Sequence, residues 1–294
     1  KKINGMFSFA IWDSNQNMLT LARDKFGIKP LYYTIIDNNL IFSSELKGIL
    51  QFNSHKWKIN PIAIHSYFCL SYIPNPFTIF QNIHKLPPGC LFIWTKSKSH
   101  TIQYIDIEQN FISLNEKEYE KSFTQLLINS IKSRISENWP IGIFLSGGID
   151  SSTLAALLSQ LSTKTINAYA MGFHDTTQRF CEIEYARQIS ENYNINLIES
   201  YLDPELFISS LSNYINFIDE PFGDYAIFPT FVLSKKANSL SKIIFSGEGS
   251  DELLNGYPIH IRKFKTSQNN KTLSSYYGVR NRFNESDLFK NYNG

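Results

Sequence analysis

The stretch from Ile141 to Leu161 constrains the fold most. The apolar run IGIFL (141–145) has the length of a strand. It ends on Ser146-Gly147-Gly148-Ile149-Asp150-Ser151-Ser152, and TLAALLSQL (153–161) then reads as a helix. A buried strand that turns through two glycines straight into a helix is one half of a parallel βα unit. The same alternation continues on both sides. After Glu116, residues Tyr119, Phe123, Leu126, Leu127, Ser130 and Ile131 recur at helical spacing. Further strands are predicted near 166–171, 195–199 and 242–246, and helices near 182–192 and 204–217. Together they predict an α/β domain with a doubly wound parallel sheet, spanning 111–294.

The front of the chain has a different rhythm. Residues 5–12 and 17–22 alternate loosely around Asp13-Ser14-Asn15, a hairpin pattern. Leu31–Ile36 and Leu40–Ser43 form a second pair around Asp37-Asn38-Asn39. A short helix is predicted from Glu45, and Pro61 can open another over 62–70. Residues 72–90 carry Pro74, Pro76, Pro87, Pro88 and Gly89 and read as an ordered connector. Strands near 91–94 and 102–104 complete a first domain, placed at 1–110. Both chain ends, at Lys1 and Gly294, read as cuts rather than natural termini.

With 294 residues, two domains are expected. The 43% hydrophobic share is enough for a core in each. A net charge of +2, without a basic run, gives no reason to expect nucleic acid as a partner. No apolar run approaches the roughly 20 residues of a membrane span. Cys69, Cys90 and Cys181 are far apart and form no CxxC, as expected of a reducing, cytoplasmic setting.

The chemistry concentrates in two glycine turns. In Ser146–Ser152 the glycines let backbone amides approach an anion, and the helix offers free N–H groups and its positive dipole end. Ser146, Ser151 and Ser152 add hydroxyls. Asp150 is unexpected beside a phosphate unless a Mg²⁺ bridges them. The lysine of a Walker loop is absent, so this is another kind of phosphate loop. The second turn, Ser246-Gly247-Glu248-Gly249-Ser250-Asp251-Glu252, also follows a short apolar strand. Ligands bind at the carboxyl ends of parallel strands, so both turns can face one crevice.

SGGIDSS resembles the pyrophosphate-binding loop of the N-type ATP pyrophosphatases. SGEGSDE (246–252) and DEPFGDYAIFP (219–229) resemble segments of B-type, glutamine-hydrolysing asparagine synthetases, and Tyr185-Ala186-Arg187 matches their YAR stretch. RDKFGIKPLYY (23–33), FSSELKGIL (42–50) and YIPNPFTIFQNIHKLPPG (72–89) resemble the glutaminase domain of that family and its connector. The resemblance implies a partial N-terminal-nucleophile hydrolase sandwich followed by an ATP pyrophosphatase domain, adenine nucleotide α-hydrolase-like. It implies ATP and Mg²⁺ as cofactors, with aspartate and glutamine or ammonia as reaction partners. Asp150 and Asp251 would be metal ligands, and Glu248 the acid–base group. Leu145, Ser146, Gly147, Gly148, Ile149, Asp150, Ser151, Ser152, Met171, Ser246 and Gly247 would hold the nucleotide. The implied reaction amidates aspartate to asparagine through β-aspartyl-AMP.

Several points stand apart from the family pattern. Tyr225 takes the place of a small residue and Phe228 that of an isoleucine, close to the family's aspartate pocket, and Cys181 stands where an aspartate is common. The family's glutaminase nucleophile is an N-terminal cysteine that uses its own α-amine as base. Residue 1 is Lys1, so no nucleophile is assigned. Alternatives are an amidotransferase or cyclase for a sugar, peptide or β-lactam precursor, or a non-functional fragment that only binds nucleotide. A homodimer is a candidate assembly. Read alone, Arg23 and Asp24 are a surface ion pair worth roughly 0–1 kcal/mol.

Overall fold

The computed structural model describes residues 3–52, 56–105, 113–173, 182–254 and 256–258. They fall into two compact units. The first comprises residues 3–105 together with Asn216–Asp224; the second holds 113–215 and the residues from Tyr225 onward.

The first unit carries two antiparallel sheets. Strands β1 (Ser8–Asp13), β2 (Met18–Arg23), β6 (Cys90–Trp94) and β7 (Ser99–Gln103) pair in the order β1-β2-β6-β7. Strands β3 (Tyr32–Ile36), β4 (Asn39–Ser43) and the short β5 (His84–Lys85) pair in the order β4-β3-β5. The β3–β4 hairpin turns through Asp37 and Asn38, both at positive φ, a conformation that Asn and Asp tolerate best among side-chain-bearing residues. Leu21 and Phe92 of one sheet share a core with Leu31, Leu86 and Tyr33 beside the other; the Tyr33 and Phe92 rings lie 4.2 Å apart. Helices α1 (Leu46–Leu50) and α2 (Pro61–Leu70) follow the predicted starts, α2 capped by the Asn60 side chain.

Arg23 and Asp24 do not pair with each other. Asp24 is buried and accepts N–H bonds from Phe26, Ile28, Lys29 and Phe7 at 2.9–3.3 Å. Burial pushes its carboxyl up, but the four backbone donors outweigh it and hold the group below the ordinary range. Arg23 donates to the carbonyls of Lys29, Gly27 and Leu86. The RDKFGIKP segment is therefore a loop stapled by its own side chains.

The second unit contains a four-stranded sheet in the order β10-β9-β8-β11, all parallel: β8 (Ile141–Phe144), β9 (Asn167–Phe173), β10 (Asn196–Leu202) and β11 (Ile243–Phe245). Alternate side chains build two cores. Ile141, Ile143, Leu145, Ala168 and Ala170 pack with α3 (Glu116–Lys132), α4 (Ile149–Leu161) and α5 (Ile183–Asn192) on one face. Phe144, Tyr169 and Met171 pack with α7 (Ile227–Ala237) on the other. Helices on both faces of a parallel sheet make this the doubly wound α/β architecture predicted for this part of the chain. Helix α6 (Pro204–Phe217) precedes α7, and α8 (Ser250–Leu254) follows β11. The sequence periodicity gives no sign of α7, which is apolar along much of its length with Pro229 in its first turn, where proline is tolerated. Among the described residues, no helix is long and apolar enough to cross a membrane.

Candidate active site

The strand order places the site. From β8 the chain passes through α4 to β9 on one side, while β11 joins β8 on the other. The order reverses between β8 and β11, the switch point where ligands bind in open α/β sheets. The two glycine turns leave the carboxyl ends of these neighbouring strands. They meet: a Cβ on Gly247 would lie 3.2 Å from the Asp150 Cβ and 3.3 Å from the Ser151 nitrogen. Above them opens a cleft of about 1030 Å³, lined wholly by residues of the second unit.

Most candidate residues reach this cleft. From the first turn come Leu145, Ser146, Gly148, Asp150 and Ser151; from the second come Ser246, Gly247, Glu248 and Asp251. Met171 both packs in the core and lines the cleft. Gly147, Ile149 and Ser152 do not line it. Ile149 is 83% exposed, and the Ser152 hydroxyl is buried without a hydrogen-bond partner. Gly147 has a different task. Its φ is +85°, and a Cβ there would run into Tyr185 Cβ and lie 3.1 Å from the Ala186 nitrogen. Only glycine allows both the left-handed turn and the close approach of α5.

Helix α4 begins at Ile149, so the Ile149–Ser152 segment is its first turn rather than a free loop. Its N-cap is Gly148, and no side chain caps it. By contrast α3 is closed by a capping box of Asn115 and Glu118. The first-turn amides of α4 thus remain donors facing the switch point, with the helix dipole behind them. The turn itself is already ordered. The Ser146 N–H donates to Ser151 Oγ at 3.3 Å, and the Gly148 N–H donates to Ser146 Oγ at 3.2 Å. The two hydroxyl oxygens are 3.1 Å apart.

Among the described residues, no group of three or more His, Cys, Asp or Glu side chains forms a ready metal site. Asp150 and Asp251, one from each turn, face the same cleft. Two carboxylates completed by phosphate oxygens are the shell that Mg²⁺ takes with a nucleotide. Asp150 and Asp251 fit a magnesium ion whose remaining ligands are phosphate oxygens.

Several lining residues lay outside the quoted motifs: Glu182, Thr230 and Tyr257. Tyr225 and Pro229, from the DEPFGDYAIFP stretch, line the cleft as well. Tyr225 is 82% exposed. The Tyr257 hydroxyl donates to Glu252 at 3.1 Å. Burial, with Glu252, Asp251 and Glu248 nearby, pushes this phenol up to about 12. Its position a few residues beyond SGEGSDE was the available clue. Cys181 lies outside the described residues.

The segment Asp219–Asp224 is not in the cleft. Asp219 accepts the Leu46 N–H at 2.8 Å and the Lys47 N–H at 3.3 Å, capping α1. Glu220 pairs with Lys85 at 2.6 Å and accepts the Ile79 N–H at 2.8 Å. These carboxylates tie the Asn216–Asp224 segment into the first unit. Of this motif it is the following stretch, from Tyr225, that reaches the cleft.

Each part of the chain matches a known family. Residues 122–293 match the asparagine synthase family, and residues 1–105 match a glutamine amidotransferase domain. A putative glutamine-hydrolysing asparagine synthetase 2 of Methanocaldococcus jannaschii is 32% identical over 270 residues, covering 90% of this chain and 52% of that protein. Asparagine synthetase 1 of Bacillus subtilis is 31% identical over 260 residues, covering 88% and 40%. Amidase chry2 of Gibberella zeae is 26% identical over 275 residues, covering 87% and 40%. The chain spans about half the length of the curated relatives it matches. With its two glycine turns at one switch point and the family match over most of the second unit, the chain belongs to the asparagine synthase family.

Proposed function

We propose that the second unit activates a carboxylate with ATP for amidation, and that the acceptor is aspartate. The observation that carries this reading is the meeting of the two turns, Gly247 against Asp150 and Ser151, at the carboxyl ends of β8 and β11. In this reading the α4 amides and the Ser146 and Ser151 hydroxyls hold the β- and γ-phosphates. The aspartate side-chain carboxylate attacks the α-phosphorus, pyrophosphate leaves, and β-aspartyl-AMP forms. Ammonia then displaces AMP and gives asparagine. In the whole protein, glutamine bound to the amidotransferase domain supplies that ammonia, in the cytoplasm.

The chain's own groups have definable tasks in this sequence. Preorganised amides oppose the charge growing on pyrophosphate without reorganising during the step. Asp150 and Asp251 would hold Mg²⁺, which when bound supplies charge neutralisation for the leaving group. Glu248, on the second turn, accepts a proton from the attacking ammonia. Leu145 and Met171 offer an apolar wall for the base.

Calorimetry with MgATP tests the nucleotide reading. Asp150→Asn is expected to weaken magnesium-dependent binding at least several-fold and leave the melting temperature close to that of the parent. Equal affinity in the two proteins would remove Asp150 from the metal shell.

A second acceptor reading has its own support. Tyr225 lines the cleft and is largely exposed, and a relative bears the name amidase. A different carboxylate, from a sugar, a peptide or a β-lactam precursor, is the acceptor in that case. Assaying pyrophosphate release against a panel of carboxylates separates the two readings, with aspartate expected to give the fastest release.

A further inference from the structure

Helix α5 stands behind the phosphate turn. Tyr185 and Ala186 approach Gly147 so closely that only a glycine fits between them. The next residue, Arg187, binds strand β10. Its Nε donates to Glu199 Oε1 at 2.6 Å and its Nη2 to Glu199 Oε2 at 2.8 Å, a two-pronged grip on strand β10. The Tyr201 hydroxyl accepts from Arg187 Nη2 at 2.9 Å and donates to Glu199 Oε2 at 2.7 Å. Glu184 also pairs with Arg187. Lys236 of α7 donates to the Glu199 carbonyl at 2.6 Å, tying the opposite helix layer to the same strand position. The Tyr201 ring lies over Gly172, where a Cβ would sit 2.7 Å from it.

We propose that Arg187 is a positioning residue for nucleotide binding: gripping Glu199 and Tyr201, it fixes the part of α5 that backs the phosphate turn at Gly147. Apolar contacts of Ile183 and Ala186 bury one face of α5, but such burial lacks directionality. A planar guanidinium meeting a carboxylate through two parallel bonds is directional. The pair therefore sets the axial position of α5, and with it the surface against which Gly147 turns. Arg187 lies outside the cleft lining, so it acts through the turn and not on the ligand. The Arg187 bond holds the Glu199 carboxyl below the ordinary range, consistent with an ion pair maintained at neutral pH.

The inference rests on the MgATP reading above, and the test separates the two. MgATP and adenosine binding are measured for the full-length parent protein, Arg187→Met, Arg187→Lys and Glu199→Gln, alongside their melting temperatures. Adenosine carries no phosphate, so a displaced phosphate turn should weaken MgATP and spare adenosine. Arg187→Met is expected to bind MgATP about tenfold more weakly, the fold-change that a loss of about 1.4 kcal/mol produces. Its adenosine affinity should stay within twofold of the parent. Arg187→Lys keeps the charge without the fork and should recover only part of the loss. Unchanged MgATP affinity in Arg187→Met overturns the inference. So does a parallel loss of both ligands, which a merely structural role predicts. If Arg187→Met does not fold, Glu199→Gln decides by the same comparison, because it keeps the shape of the carboxylate and removes its charge. A parent protein that binds no MgATP overturns both the inference and the reading beneath it.

Discussion

Glu248 stands between Gly247 and Gly249, and the two glycines have different reasons to be there. Gly247 lies close against the first turn, whereas Gly249 has a φ of +90° and only open space where a Cβ would stand. The carboxylate between them lines the cleft without serving as a spacer in the core. If it takes the proton from ammonia, it is needed after ATP has bound. Glu248→Gln should then keep MgATP affinity while amide formation from ammonia falls by roughly 10²–10⁴, the usual worth of general acid–base catalysis. Paired binding and product assays check this. A variant with normal binding and normal amide formation would take Glu248 out of the mechanism. A variant in which affinity and thermal stability fall together with activity would make it a structural support of the second turn.

At the scale of elements, the contrast between Gly147 and Gly249 gives a second expectation. Both require left-handed backbone, which costs a side-chain-bearing residue roughly 1–2 kcal/mol. Only Gly147 also has α5 pressed against it. Gly147→Ala should therefore destabilise the protein by about 2–4 kcal/mol and Gly249→Ala by about 1–2 kcal/mol. Denaturant unfolding compares them, and equal losses would contradict the packing of α5 against the turn. The sequence already disclosed both turns, because an apolar strand, paired glycines and a helix are local patterns. It also disclosed the parallel sheet, since alternating strands and helices leave few other arrangements. It did not disclose what Gly147 touches, because Tyr185 is brought there by tertiary packing. Ile149–Ser152 read as loop and proved to be helix, since the glycine N-cap that starts α4 leaves no side-chain signature. Helix α7 was hidden for the opposite reason: with a run of apolar residues and a proline, it shows no single polar face to mark a period.

For the molecule as a whole, the path of the chain matters most. It leaves the second unit after Ile215, contributes Asn216–Asp224 to the first, and returns at Tyr225. Asp219 caps α1, Glu220 pairs with a largely buried Lys85, and the Gly223 N–H donates to the Ser71 carbonyl at 2.7 Å. Breaking a buried pair by removing one partner typically costs about 3–5 kcal/mol. Glu220→Ala should loosen this segment, seen as faster hydrogen exchange of amides in 216–224 and at Ile79, while β8 and β9 stay protected. Unchanged exchange at Ile79 and Gly223 would show that Glu220 does not anchor the segment.

That path has a consequence for how such proteins can be recombined. The second unit is not a continuous stretch of gene. Joining this front half to the rear half of a relative would import a foreign Asn216–Asp224 segment into the first unit, where it must suit Lys47, Lys85 and Ser71. The two halves are therefore expected to have changed together over evolution, and a chimera is better assembled by exchanging residues 216–224, which include the end of α6, separately from the rest of the second unit.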